Sequence, residues 1–198
     1  MNYPNGQKKQ INQQNKSVKT NNNIFSNRGM SLEEDINTTN TYYLETDIAI
    51  IHKKPTPVQI VKVNYPRRSA AMITEGYFKQ ASTTDYNGLY RHRYIDFEAK
   101  ETKNKTLFPL ANIHDHQIRH MEKIVKHGGI SFIIIRFAAY DETYFIPAEK
   151  LFPHWHDKLN GGRKSISYEK IKEEGHIIPF HYQARVNYIK IIDRLYFH

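Results

Sequence analysis

A chain of 198 residues accommodates one ordinary domain, or one domain with an extension, and not two large independent cores. Its 29 Lys and Arg against 20 Asp and Glu give a formal charge of +9, which favours encounter with polyanions without distinguishing DNA from RNA, ribosomes or an anionic membrane. Cysteine is absent, which excludes a disulfide framework, a thiolate zinc site and a cysteine nucleophile, and no stretch is apolar for long enough to cross a bilayer. The expectation is a cytoplasmic protein with no membrane partner.

Residues 1–27 are dominated by Asn, Gln, Lys and Ser and read as a flexible basic tail, whose Lys8, Lys9, Lys16 and Lys19 need no rigid geometry to attract phosphates. Ser31-Leu32-Glu33-Glu34 has capping-box spacing and predicts a helix through about Tyr43, with Leu32, Ile36 and Tyr43 on one face. Glu33 lies near the edge of that face, either as a solvated first-turn acid or within reach of an adjoining metal site. Ile48 to Ile51 reads as a short buried strand, and Lys53-Lys54-Pro55-Thr56-Pro57 punctuates the chain. Val58 to Val63 and Ala70 to Phe78 read as extended elements around the basic bend Tyr65-Pro66-Arg67-Arg68, a middle region with little core-forming content.

Asp85-Tyr86-Asn87-Gly88 carries a turn signal, because Asn and Gly both tolerate positive φ, and Tyr94 to Lys100 reads as a strong strand. A reversal at Asn87-Gly88 would bring residues before and after it together. Asp115 through Lys126 has a helical apolar stripe of Ile118, Met121, Ile124 and Val125, stopped by Gly128-Gly129. Strands follow at Ser131 to Ala138 and Thr143 to Ile146, and Tyr188, Ile191, Ile192 and Leu195 have helical spacing. This order predicts a mixed α/β or α+β core rather than an all-β domain.

Alternation puts Ile95, Phe97 and Ala99 on one face of the Tyr94 to Lys100 strand and Asp96, Glu98 and Lys100 on the other. If Asp85 returns beside Glu98, two carboxylates can hold Mg²⁺, or Mn²⁺ in its place, and leave positions for water and a phosphate. Lys100 then orients the attacking water or stabilises charge on the phosphoryl group. Asp96 shares the face of Glu98: it is a supporting acid, a backbone partner or a competing ligand, and Glu98 is favoured by its two-residue spacing from Lys100. Gln117 lies beside the apolar stripe of its helix, where its amide oxygen either ligates or makes ordinary hydrogen bonds, and Thr83 offers a hydroxyl or carbonyl oxygen.

Other chemistries are weaker. His116 and His120 are four apart, but the helix lacks the embedded Glu of a His-Glu-x-x-His zinc site. His154-Trp155-His156 reads as adjacent strand positions that point apart, with Trp155 a core or junction anchor. Gly161-Gly162-Arg163-Lys164-Ser165 lacks the residue order of a P-loop.

The strings Asn27-Arg28-Gly29-Met30, Leu32-Glu33-Glu34-Asp35, His52-Lys53-Lys54-Pro55-Thr56-Pro57 and Ser82-Thr83-Thr84-Asp85-Tyr86-Asn87-Gly88 resemble the RecU Holliday junction resolvase family. So do Arg93 to Lys105, Phe108-Pro109-Leu110, His114-Asp115-His116-Gln117 and the terminal Leu195-Tyr196-Phe197, so the resemblance covers essentially everything after the tail. It implies a restriction-endonuclease-like mixed β-sheet core flanked by helices, at residues 28–198, interrupted by a projecting stalk at approximately 54–81. It further implies a homodimer, Mg²⁺-dependent paired incision of four-way junction DNA leaving 5′-phosphates, and work beside a recombinase and a branch-migration helicase. The metal site it implies is Thr83, Asp85, Glu98 and Gln117, with Lys100 stabilising the transition state. Arg28 and Arg68 resemble basic positions that engage DNA, Arg67, Lys53 and Lys54 add phosphate contacts, and Tyr77 and Phe78 either press on an opened junction or pack within the stalk. The competing expectation is a structural junction-binding protein that recruits other factors without cutting.

Overall fold

The computed structural model describes residues 30–78 and 83–197. They divide into two units, one comprising residues 56–78 and the other residues 30–55 and 83–197. The larger unit holds a six-stranded mixed sheet in the order β1, β4, β5, β7, β8, β10. Its strands are β1 (Ile50–Lys53), β4 (Tyr86–Tyr90), β5 (Arg93–Thr102), β7 (Ile130–Phe137), β8 (Glu142–Pro147) and β10 (His176–Ile177). β5 and β7 are parallel and every other neighbouring pair is antiparallel.

A parallel pair needs a crossover. Here it runs through β6 (Leu107–Pro109) and α2 (Asp115–Lys126). Because β5 and β7 are central, both of their faces are covered. One face packs Ile95, Phe97, Phe132 and Ile134 against Leu32, Ile36 and Tyr43 of α1 (Leu32–Glu45) and Ile189 and Ile192 of α5 (Ile189–Tyr196). The other packs Ile133, Ile135 and Phe137 against Ile118 and Met121 of α2 and Leu151 and Trp155 of α3 (Ala148–Leu159). With the short α4 (Tyr168–Glu174) and the pair formed by β6 and β9 (Ser165–Ser167), five α-helices flank the sheet among the described residues. This is the restriction-endonuclease-like mixed α/β architecture anticipated above.

The smaller unit is an antiparallel pair, β2 (Val58–Asn64) and β3 (Met72–Phe78), joined through a 3-10 turn at Arg68–Ala70. That turn takes the start of the extended stretch expected from Ala70.

Several expectations are corrected. Asn87 and Gly88 do not form the reversal; they lie inside β4, and the chain turns at Arg91-His92, whose φ values of 45° and 64° suit a two-residue hairpin loop. Gly88 is needed for a different reason: a Cβ there would sit 2.0 Å from the carbonyl oxygen of Ile50 on β1. The strand expected at Ile48 to Ile51 begins at Ile50, and only Ile51 in it is buried. His154, Trp155 and His156 are helical, in α3, where Pro153 masked the pattern. Trp155 is a core residue with Lys158 Nζ 3.6 Å from its ring centre.

Candidate active site on the central strands

The register of β4 on β5 pairs Tyr86 with Phe97, so Asp85, one residue earlier, arrives opposite Glu98. The Asp85 N–H donates to Glu98 Oε2 at 3.2 Å, and Asp85 Oδ2 accepts from the Ala99 N–H at 3.2 Å. Thus the acid that precedes the hairpin is tied to β5 twice, through its own backbone N–H and through its carboxylate. Strand parity sends Glu98 and Lys100 to one face: Lys100 Nζ pairs closely with Glu98 Oε1 and lies 4.0 Å from Asp85 Oδ2. Glu98 is wholly buried, whereas the Lys100 side chain retains 24% of its exposure, so the site has a sealed acid and an accessible cation.

A carboxylate without water is costly to ionise. Burial first, and then the neighbouring Asp85 charge, push the Glu98 carboxyl up to about 7, against the lowering effect of Lys100. Glu98 Oε1 is met by the Lys100 ammonium, and no other donor reaches it within the described structure. A wholly buried Glu98 beside a partly exposed Asp85 fits a divalent cation, which would replace the missing hydration and lower the cost of ionising Glu98. Among the described residues no three His, Cys, Asp or Glu side chains gather as a metal-holding group, so further ligands here would be neutral oxygens.

Two such oxygens were anticipated. Gln117, nearly buried at the third position of α2, accepts the His114 N–H on Oε1 at 2.9 Å as part of a capping box. Thr83 is exposed, and its Oγ1 accepts from Lys54 Nζ at 3.0 Å.

Asp96 is set apart from the Asp85 and Glu98 pair. Its buried carboxylate accepts from Lys54 Nζ at 2.6 Å, from the Tyr94 hydroxyl at 3.1 Å and from Thr84 Oγ1, and His120 Nε2 lies 3.2 Å away. Lys54 therefore faces inward, with 14% of its side chain exposed. Lys53 is 45% exposed and pairs with Glu33 of α1. Arg67, Tyr77 and Phe78 are exposed in the smaller unit. Arg28 and the lysines of the tail lie outside the described residues, as does the side chain of Arg68.

Sequence reasoning passed over Thr84 and the partnership of His120 with Asp96. His120 entered the sequence reading only as the residue four after His116, although it lies three after Gln117 and so on the same side of α2. Glu101 also matters: its carboxylate accepts the Leu32 N–H at 3.1 Å and ties the start of α1 to β5. Beside it a cavity of about 310 Å³ is lined by Ser31, Leu32, Glu33, Asp85, Tyr86, Ala99 and Glu101, on the α1 side of Asp85.

A mixed sheet with acids and a lysine gathered where β4 enters and β5 passes defines a member of the restriction-endonuclease-like class. Within that class the chain belongs to the RecU family, whose description is Recombination protein U and which it matches over residues 27–194. It is 63% identical over 197 residues to the Holliday junction resolvase RecU of Oceanobacillus iheyensis, with 100% of each chain covered. It is also 56% identical to the protein of that name from a Geobacillus species, covering 98% of this chain and 97% of the relative. For the one from Bacillus cereus the identity is 55%, over 98% of both chains. The resemblance read from the motifs thus extends through the whole chain.

Proposed function

We propose that this protein is a Mg²⁺-dependent nuclease that resolves four-way Holliday junctions by paired incisions during recombination and repair. The observation that carries the reading is the buried Glu98 beside Asp85, with Lys100 at the accessible end of the same face. Full-length similarity to proteins named Holliday junction resolvase supports the substrate.

Asp85 and Glu98 would hold the ion, with Thr83 and Gln117 completing the set through oxygen, and Mn²⁺ would substitute because it favours the same hard donors. When bound, Mg²⁺ supplies Lewis acidity toward a phosphate oxygen and acidifies a water. The protein's own part is electrostatic and positional. The Ala99 N–H holds the Asp85 carboxylate on the side of Glu98, and burial of Glu98 keeps bulk water from screening the pair. Lys100 brings a cation to where negative charge grows on the phosphoryl group, so it favours the transition state over the ground state. Water attacks phosphorus and forms the new P–O bond as the P–O3′ bond breaks in line, leaving a 5′-phosphate and, once the leaving oxygen takes up a proton, a 3′-hydroxyl.

The working form is a homodimer whose two-fold axis sets two such sites on opposed strands of one junction. Phosphate attraction by Arg28, Lys53, Arg67 and Arg68 positions the DNA, while Tyr77 and Phe78 meet unstacked bases at the branch point. Such a protein would work in the cytoplasm on DNA, with a recombinase and a branch-migration helicase as partners. Among the described residues no helix is long and apolar enough to cross a membrane.

The test is strand-resolved cleavage of a mobile four-way junction and of a linear duplex of the same sequence, with Mg²⁺ and with chelator. Symmetric nicks in opposed junction strands, dependent on Mg²⁺ and at least a hundredfold faster than duplex cleavage, are expected. Equal cleavage of both substrates rejects junction selectivity, and binding without cleavage makes the protein a structural junction binder.

A further inference from the structure

One buried cluster remains outside this mechanism. Asp96 lies on β5 two residues before Glu98, and its carboxylate is shared by groups from three other parts of the chain: Lys54 just after β1, Thr84 beside Asp85, and His120 on α2. Those same segments carry the residues expected to hold the ion, since Thr83 and Asp85 flank Thr84 and Gln117 is on α2. Lys54 makes the tightest link. Its Nζ donates to Thr83 Oγ1 at 3.0 Å, to Thr84 Oγ1 at 2.6 Å and to Asp96 Oδ2 at 2.6 Å, while its backbone N–H donates to the Asp85 carbonyl at 2.8 Å. An ammonium has three donors, so the Lys54 hydrogen-bonding capacity is fully used inside the protein.

We infer that Lys54 and Asp96 are positioning residues: together they clamp the Thr83 to Asp85 segment against β5 and α2 so that the Asp85 and Glu98 carboxylates stay matched to one cation. The inference rests on the ion-binding role proposed for that pair. It replaces the expectation that Lys54 contacts DNA phosphate. Burial makes the clamp sensitive to either partner, because loss of one leaves the other charge buried and uncompensated. Lys53, one residue earlier, is the natural contrast: it is exposed, and its partner Glu33 is exposed too.

The decisive comparison uses the purified full chain as wild type, Lys54→Met, Lys54→Met/Asp96→Asn and Asp85→Asn. Three quantities are read: the Kd for Mn²⁺ by calorimetry without DNA, the Kd for a four-way junction in chelator, and kcat and KM with Mg²⁺. Lys54→Met is expected to weaken Mn²⁺ binding at least fivefold and to lower kcat at least tenfold, with KM and the metal-free junction Kd within twofold of wild type. The double variant removes both buried charges together, so it is the deciding protein if the single variant fails to fold, and the same pattern is expected of it. A junction Kd weakened fivefold or more, with Mn²⁺ affinity and kcat retained, would make Lys54 a phosphate contact and overturn the clamp. If Asp85→Asn binds Mn²⁺ as wild type does, the ion site itself is misassigned and the inference falls with it; if only Asp85→Asn loses Mn²⁺ binding, the ion site stands and the clamp alone is refuted.

Discussion

In the smaller unit, apolar side chains are exposed: Ile60 and Ile73 keep about half their accessible surface, Tyr77 keeps 61% and Phe78 keeps 81%. In the central strand β5 the reverse holds, for Asp96 and Glu98 are fully buried. Each arrangement works against stability, since exposed aromatics forgo burial and buried acids lose hydration. Departures of this kind collect where a surface must meet something or a group must react. The two-stranded unit exposes apolar side chains, and the larger unit sets a wholly buried acid, Glu98, beside a partly exposed one, Asp85. Binding and chemistry are therefore expected to separate under mutation.

The largest separation should come from Lys100→Ala. With its cation gone from the accessible end of the site, kcat should fall by about 10²- to 10³-fold while Mn²⁺ affinity is not weakened, measured by single-turnover incision and calorimetry. Next come two strand glycines, one in each unit. Gly88→Ala drives a Cβ to 2.0 Å from a backbone oxygen of β1, whereas at Gly76 the nearest atom, at 3.0 Å, belongs to the Val58 side chain. Denaturant unfolding should show a loss of about 3 kcal/mol or more for Gly88→Ala and about 1 kcal/mol or less for Gly76→Ala, because a side chain can yield and a paired strand cannot.

A smaller effect follows from the carboxyl of Glu98, which burial and Asp85 raise to about 7. Below that pH a proton competes with the cation, so ion affinity should fall about tenfold per pH unit, and above it the dependence should flatten. Glu98→Gln should remove the slope in a calorimetric series. The smallest expected change is for Phe78→Ala, which should weaken metal-free junction binding by about fivefold, in the range of one lost base contact. Its thermal stability should stay within about 0.5 kcal/mol of wild type, since the ring is exposed. A large stability loss there would show that the aromatic packs rather than binds.

Much of the site was legible because it is local. Period-two alternation along Ile95 to Lys100 separated core from chemistry before any tertiary information, and the capping box at Ser31 and the apolar stripe of α2 placed two helices. Asn87-Gly88 misled because the same residue type serves turns and close strand approaches, and only the neighbouring β1 decides which. α3 was missed because Pro153 lies within it, although Ala148, Leu151 and Trp155 keep helical spacing. The Asp96 pairing with Lys54 was not legible at all, since it joins residues 42 apart through a sheet register that no local pattern encodes.

The central claim is that Glu98, buried opposite Asp85, is the acid on which incision depends. Single-turnover cleavage of a mobile four-way junction by folded Glu98→Gln in saturating Mg²⁺ tests it most directly. The account predicts a rate lower by about 10³-fold or more, with metal-free junction binding retained. A rate within tenfold of wild type would contradict it.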